Sequence, residues 1–465
     1  MPKKSVLLFM LLSIVSLSTV SAENLQSIKA DTSLGSNVQL QDTTYHITGG
    51  TAFDKDNLFH SFESFNLKAG ENAIFDDDGF TNNISRVTGN QHSWINGKIS
   101  SFANNLYLIN PNGLIFGPNA SLDVAGSFYA TTADYLTLNG DEKFYSKLSD
   151  HSILSSASPV EFGFYDDNIS SISIQGRGLI TEQEWNDNPT GLHVTSGHSI
   201  SLIGGDIDIT DGTKYVEEII YPDEEPQYRD VDGIEIKAPD GRINMVSVKS
   251  QGTVKITEDD IVTTSSMGNI NVTDSFIDIS GEGGGSLYLR GGQFVMKNSC
   301  IQSITDGNTD PGIISIEADD INIHDGSYLV SMTYGLGKGA DISLVAVNMI
   351  SLMGETDKKR FDANNFGSAI LTYSGSEAIM DTVLGDGGNV YMDASDVRLT
   401  DGVYISSKAY GSGKGGSFFE SIFGFIIGIS IRLPFAICMI PVQAIVSVSQ
   451  SKPKQLTLNT TSKEN

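Results

Sequence analysis

The sequence has little cysteine: two in 465 residues, Cys300 and Cys438. They stand far apart and make no disulfide framework, so hydrogen-bonded structure and core must hold the fold. Cys300 reads as a small apolar residue on a strand. Proline is modest at 12 and long helix-period patterns are scarce, which argues against helical and α/β architectures. Positive charge is also short. Lys and Arg number 29 against 57 Asp and Glu, for a net charge of −28. The first 22 residues carry Lys3 and Lys4 and no acid, so the remainder stands at −28 − 2 = −30. Such a chain repels phosphate backbones and anionic lipid, and no basic cluster with interleaved aromatics appears. Nucleic acid is therefore excluded as a partner.

The usual signatures of catalysis are missing as well. There is no G-x-S-x-G, no C-x-x-C and no H-E-x-x-H. His193 and His198 lie five apart around a glycine, which suits neither a helix face nor a strand face, so no metal site is expected. "GSGKGG" (411–416) satisfies G-x-G-x-x-G but follows no βα unit, and reads as a corner between strands. No cofactor is implied. Carboxylates are plentiful, with Asp76-Asp77-Asp78 and repeated Asp-Gly pairs. Paired carboxylates could serve a polysaccharide-cleaving enzyme or bind calcium. Asp-Gly is also ordinary turn chemistry, and its recurrence follows the repeat described next. The expectation is a protein without catalytic residues.

What is present is a pattern of short alternating runs: "VQLQ", "SISIQG", "ISLIGGDIDIT", "GIEIKA". Apolar residues at i and i+2, broken by Gly, Asp and Asn, indicate many short strands. Residues 312–340 and 388–416 align without a gap at an offset of 76, sharing Gly312, Asp325, Gly326, Tyr328, Tyr334 and Lys338. Glycines at 285, 312 and 339 recur at intervals of 27. A period of this kind marks a solenoid, whose units bury their apolar faces only by stacking. The expected fold is all-β: a single-stranded right-handed parallel β-helix with an N-terminal cap. Acidic, proline-bearing residues 210–233 and the stretch 354–369 break the beat and read as excursions. They interrupt a repeat region spanning 166–416.

The N-terminus looks like an export signal. Two lysines precede the apolar run Ser5 to Leu17, and small residues follow, predicting cleavage between Ala22 and Glu23.

The stretch 104–117, "NNLYLINPNGLIFG", sets a turn between two apolar strands. Pro111 fixes φ, while Asn112 and Gly113 tolerate positive φ. With "NLFHSFESFNL" (57–67), "NISRVTG" (83–89), "INGKI" (95–99) and "PVEFGF" (159–164), this stretch resembles the two-partner secretion domain of filamentous haemagglutinins. The resemblance runs from about Asn57 to Gly163, nearly all of an N-terminal domain set at residues 23–165. It implies a secreted or surface-exposed adhesin-like passenger. Its partners would be the general secretory machinery, then an outer-membrane β-barrel transporter with periplasmic polypeptide-transport-associated domains. The passenger would pass through the periplasm of a Gram-negative-type bacterium to the cell surface or the medium, with a host-cell or surface glycan as ligand. The resemblance carries Asn110, Pro111, Asn112 and Gly113 over as the family's turn motif. It carries Asn83, Ser85, Arg86, Val87, Thr88 and Gly89 over as a second conserved-type block. Other branches have a second asparagine-proline-asparagine motif about there, which this chain lacks. A β-helical carbohydrate-active enzyme and a pore-forming cytolysin are the alternative readings.

After Gly416 the alternation gives way to an apolar tail, 417–465, read as a broken reading frame or a membrane segment. At the offset of 76, Ile342 and Leu344 correspond to Phe418 and Glu420. A carboxylate in a buried column predicts that strand register fails there and that 418–449 does not extend the stack.

Overall fold

The structure is a computed structural model. It describes residues 27–181, 190–212, 214–219, 227–232, 235–309, 311–354, 367–375, 383–410, 412–422 and 425–429. The predicted cleavage site at Ala22 and Glu23, most of the 354–369 excursion and the tail beyond 429 lie outside these residues. Among the described residues every regular element is a strand.

Coils stack in parallel along three faces. On the first face one position runs Leu58, Asn83, Leu106, Phe128, Ile200, Ile243, Leu287, Ile314, Ile342, Val390 and Phe418 in unbroken register. A neighbouring face carries Leu114, Ile172, Ile207, Ile270, Phe294, Ile321, Ile350 and Val397. The third face holds Asn72–Phe75, Lys98–Ser101 and Ser121–Val124 early in the chain. Later it holds Cys300–Thr305, Tyr328–Thr333, Ala369–Ser374 and Tyr404–Ala409. An isolated parallel bridge from Ser121 to Gly191 joins the two halves of this face. Alternation explains the arrangement: every second residue points inward, and one core runs from Ile28 to Val397. Each buried Leu or Ile contributes about 1.5–3 kcal/mol, but only while its neighbours above and below exclude water. The 27-residue glycine interval is one coil. The 76-residue repeat spans two, because Ile314 pairs with Ile342 and Ile342 with Val390.

Antiparallel strands cover the N-terminal end. Ile28–Ala30 and Thr51–Phe53 pair with Asn57–Phe65, and Ser36–Gln41 forms a hairpin with Thr44–Gly49. A second antiparallel layer lies outside the stack. Tyr135–Leu138, Glu142–Tyr145, Pro159–Phe164, Gly252–Ile256 and Ile261–Thr263 make one sheet. Its apolar face packs on the outer face of the first coils, burying Phe59, Ile84, Leu136, Phe144, Phe162 and Val254 in a second core. The acidic excursion forms an antiparallel hairpin, Lys214–Ile219 with Gln227–Asp232.

One expectation needs correction and another needs refinement. Phe418–Ile422 does extend the stack, pairing in parallel with Val390–Ala394, so register survives at Glu420. A ladder is made by backbone groups. On its other edge this strand pairs with the antiparallel Phe425–Ile429. The turn at 110–113 also does not join a strand pair. Asn105–Ile109 pairs with Asn82–Val87 and Ser127–Thr131, whereas Leu114–Phe116 pairs with Ser93–Ile95 and Ile172–Gln175. The turn is a corner between two faces of one coil.

Candidate functional site: the turn motif and the first coils

The corner begins at Asn110, whose side chain is fully buried. Gly113 N–H donates to the Asn110 carbonyl at 3.1 Å, closing a four-residue turn. Asn110 Oδ1 accepts from the Asn112 backbone N–H at 3.0 Å, so the asparagine side chain shapes its own turn. Its Nδ2 donates to the Gln91 carbonyl and to Ser93 Oγ, both at 3.0 Å. Asn112 Nδ2 donates to the Gly89 carbonyl at 2.7 Å. On the other side Ser170 Oγ donates to the Pro111 carbonyl at 2.8 Å, and Asn110 N–H donates to Thr131. The turn is thus bonded to the coils on both sides. Gly113 takes φ of 111°, and an added Cβ there would lie 3.3 Å from the Ser171 carbonyl. Both conditions favour glycine.

The block at 83–89 starts on Asn82–Val87, a strand buried along its whole length, and runs past its end to Thr88 and Gly89. Asn83 and Ser85 occupy inward positions that later coils fill with Leu, Phe, Ile, Ala and Met. Their partners are internal. Asn83 Nδ2 donates to Asp77 Oδ2 at 2.8 Å, and Ser85 Oγ donates to Asn83 Oδ1 at 2.8 Å. Asp77, itself buried, also accepts from Ser101 Oγ and from the Phe102 N–H. Gly89 approaches the coil beneath so closely that a Cβ would stand 2.1 Å from the Glu63 carbonyl.

Arg86 faces outward and is covered by the antiparallel layer. Its Nε donates to Ser61 Oγ (2.8 Å), Nη1 to the Tyr145 carbonyl (2.6 Å) and to Ser152 Oγ (3.2 Å), and Nη2 to Ser33 Oγ (3.2 Å). The guanidinium lies 4.8 Å from the Phe144 ring centroid. Burial pulls its pKa down, and the field of Asp31 works against that. Burial alone would raise the Asp31 carboxyl. Hydrogen bonds from Ser61, Ser33 and Thr88 outweigh it and hold the pKa below the ordinary value. One guanidinium therefore ties together the cap, two coils and the outer layer.

Asn57, Asn82 and Asn105 were missed by the sequence reading. They pair in register and form a side-chain ladder: Asn105 Nδ2 to Asn82 Oδ1 at 2.9 Å, Asn82 Nδ2 to Asn57 Oδ1 at 2.8 Å. Asn57 Nδ2 then donates to the Ser155 and Ala157 carbonyls of the outer layer. The signal was an asparagine heading each of three successive apolar strands. Chemically, these groups hydrogen-bond to one another and to backbone. Only Pro111 and Asn112 of the turn are partly open to solvent.

This capped stack, with the turn at its corner, spans the region matched by one family. The family model for the TPS secretion domain matches residues 26–307. The chain belongs to the TPS secretion domain family, and is a two-partner secretion exoprotein. A curated relative, the heme/hemopexin-binding protein of Haemophilus influenzae, is 31% identical over 132 residues. That match covers 27% of this chain and 14% of the relative, so the chain spans only a small part of that protein's length. Among solved structures, the HMW1 secretion domain from Haemophilus influenzae superposes with a TM-score of 0.41 at 16% identity. The match covers 84% of this chain and 99% of that one. Membership in the family implies a cognate outer-membrane transporter as partner. It implies export through the periplasm to the cell surface or the medium of a Gram-negative bacterium.

Proposed function

We propose that the chain is a non-enzymatic adhesin-like passenger whose capped first coils template the rest of a right-handed, single-stranded β-helix as it emerges from the transporter. The carrying observation is the internal bonding of the turn motif. Asn110 and Asn112 spend their side chains on Gln91, Ser93 and Gly89, which fixes the corner on which later coils stack. Right-handedness is supported by the general rule for parallel crossovers. The general secretory machinery would deliver the chain to the periplasm, and the transporter's polypeptide-transport-associated domains would receive it there.

Adhesion is supported by architecture. A long stack of coils presents a wide surface, and a host-cell or surface glycan is the ligand class proposed. The curated relative's name points to heme and hemopexin for that protein. The aligned share is too small to bring that activity here. The test is binding of purified secreted chain to cultured cells and to a glycan array, alongside heme titration, polymer cleavage and erythrocyte lysis. Saturable cell or glycan binding without cleavage or lysis is expected. Heme binding, cleavage or lysis in its place would replace this reading.

A further inference from the structure

On the third face of the later coils, Ser303, Ser331, Thr372 and Ser407 stand in register, one per coil. They occupy inward positions of strands whose other inward residues include Ile301, Leu329 and Ile370, all fully buried. Ser303, Ser331 and Thr372 are fully buried as well. None of the four hydroxyls has a hydrogen-bond partner among the described residues. Neighbouring hydroxyls behave differently. Thr333 Oγ1 donates to the Gly337 carbonyl at 2.7 Å, and Ser374 Oγ to the Gly385 carbonyl at 2.6 Å. Three of the four hydroxyls lie against a glycine. A Cβ on Gly284 would lie 3.1 Å from Ser303 Oγ, on Gly339 3.2 Å from Ser331 Oγ, and on Gly415 3.4 Å from Ser407 Oγ. Contacts that short are tighter than an ordinary Cβ tolerates, so glycine at these positions lets the backbone approach the hydroxyls closely.

A buried hydroxyl with no partner is destabilising, and a file of four compounds that cost. Adjacent coils are about 4.8 Å apart, too far for one hydroxyl to reach the next directly. An oxygen set slightly off the line between two of them sits about 2.8 Å from both, an ordinary hydrogen-bond length. We propose that Ser303, Ser331, Thr372 and Ser407 line an internal binding site for a file of water molecules, one between each pair of successive hydroxyls. Four hydroxyls leave three such intervals. Neutral hydroxyls suit a neutral occupant that donates and accepts. Water also needs at least two polar partners, and each interval supplies them.

The test uses the secreted full chain and the variant Ser303→Ala/Ser331→Ala/Thr372→Val, which removes hydroxyls with little change of shape. Oxygen-17 relaxation dispersion counts long-lived internal waters. The variant is expected to lose about three relative to wild type, and a high-resolution crystal structure of wild type to show density within hydrogen-bond distance of each Oγ. If the triple variant is not secreted, Ser331→Ala alone should lose the two waters that flank it. An unchanged count overturns the proposal. So does a variant that melts higher than wild type, because that result means the hydroxyls were dry and their removal relieved a penalty.

Discussion

Glycine at 113 was chosen by two constraints acting together. Its φ is in the left-handed half of conformational space, and its Cα faces the Ser171 carbonyl. Gly113→Val should therefore destabilise the secreted chain by about 1–3 kcal/mol, seen as a lower Tm and faster proteolysis. Wild-type melting in this variant would mean the corner tolerates a branched side chain and is not conformationally fixed. His60 gives a second residue-scale prediction. Burial pushes its imidazole down to about 4, against 6.5 in the unfolded chain. Its ring packs beside Phe62 and Phe75, with Nδ1 3.0 Å from Ser36 Oγ. The unfolded state takes up the proton first, so stability should fall as pH drops from 6.5 to about 4 and then level off for this group. The loss is about 3 kcal/mol at most. Asp31, with a lowered pKa, adds a further loss only below its ordinary value of 3.8. Chemical denaturation at stepped pH should show both segments, and His60→Leu should remove the upper one while keeping the lower.

Arg86 joins elements that meet nowhere else in sequence. Arg86→Met leaves the Tyr145 carbonyl and the hydroxyls of Ser61 and Ser152 short of a donor. A destabilisation of about 2–4 kcal/mol is expected, with protease cleavage rising first in residues 146–152 as the outer layer loosens. Arg86→Lys, which keeps charge but not the planar fork, should fall between the two. Equal protection of that loop in all three chains would show that apolar packing alone holds the layer. The asparagine ladder predicts a smaller effect. Asn82→Ala strands Asn57 Oδ1 and leaves Asn105 Nδ2 only its longer bond to the Thr81 carbonyl, and should cost about 1–2 kcal/mol in denaturant unfolding.

For the whole molecule, the parallel stack was legible wherever period was strong. The apolar pairs Ile314/Ile316 and Val390/Met392 were matched by their repeat, and the structure stacks both on the intervening Ile342 and Leu344. The outer antiparallel layer was not legible. It brings Phe162 against Val254 with no period to announce the pairing. The partners of Asn83 and Arg86 escaped for the same reason, since Asp77, Ser33 and Tyr145 lie in turns or non-repeating strands. The tail misled because side-chain chemistry at Glu420 was weighed without the backbone ladder that sets the strand's register.

Family membership makes these first coils a secretion module for a dedicated transporter. The direct measurement is the amount of a fragment spanning residues 23–307 in the medium, with and without co-expression of the cognate outer-membrane transporter. Release is predicted only when the transporter is present, with retention in the periplasm otherwise. Equal release in both strains would contradict the account.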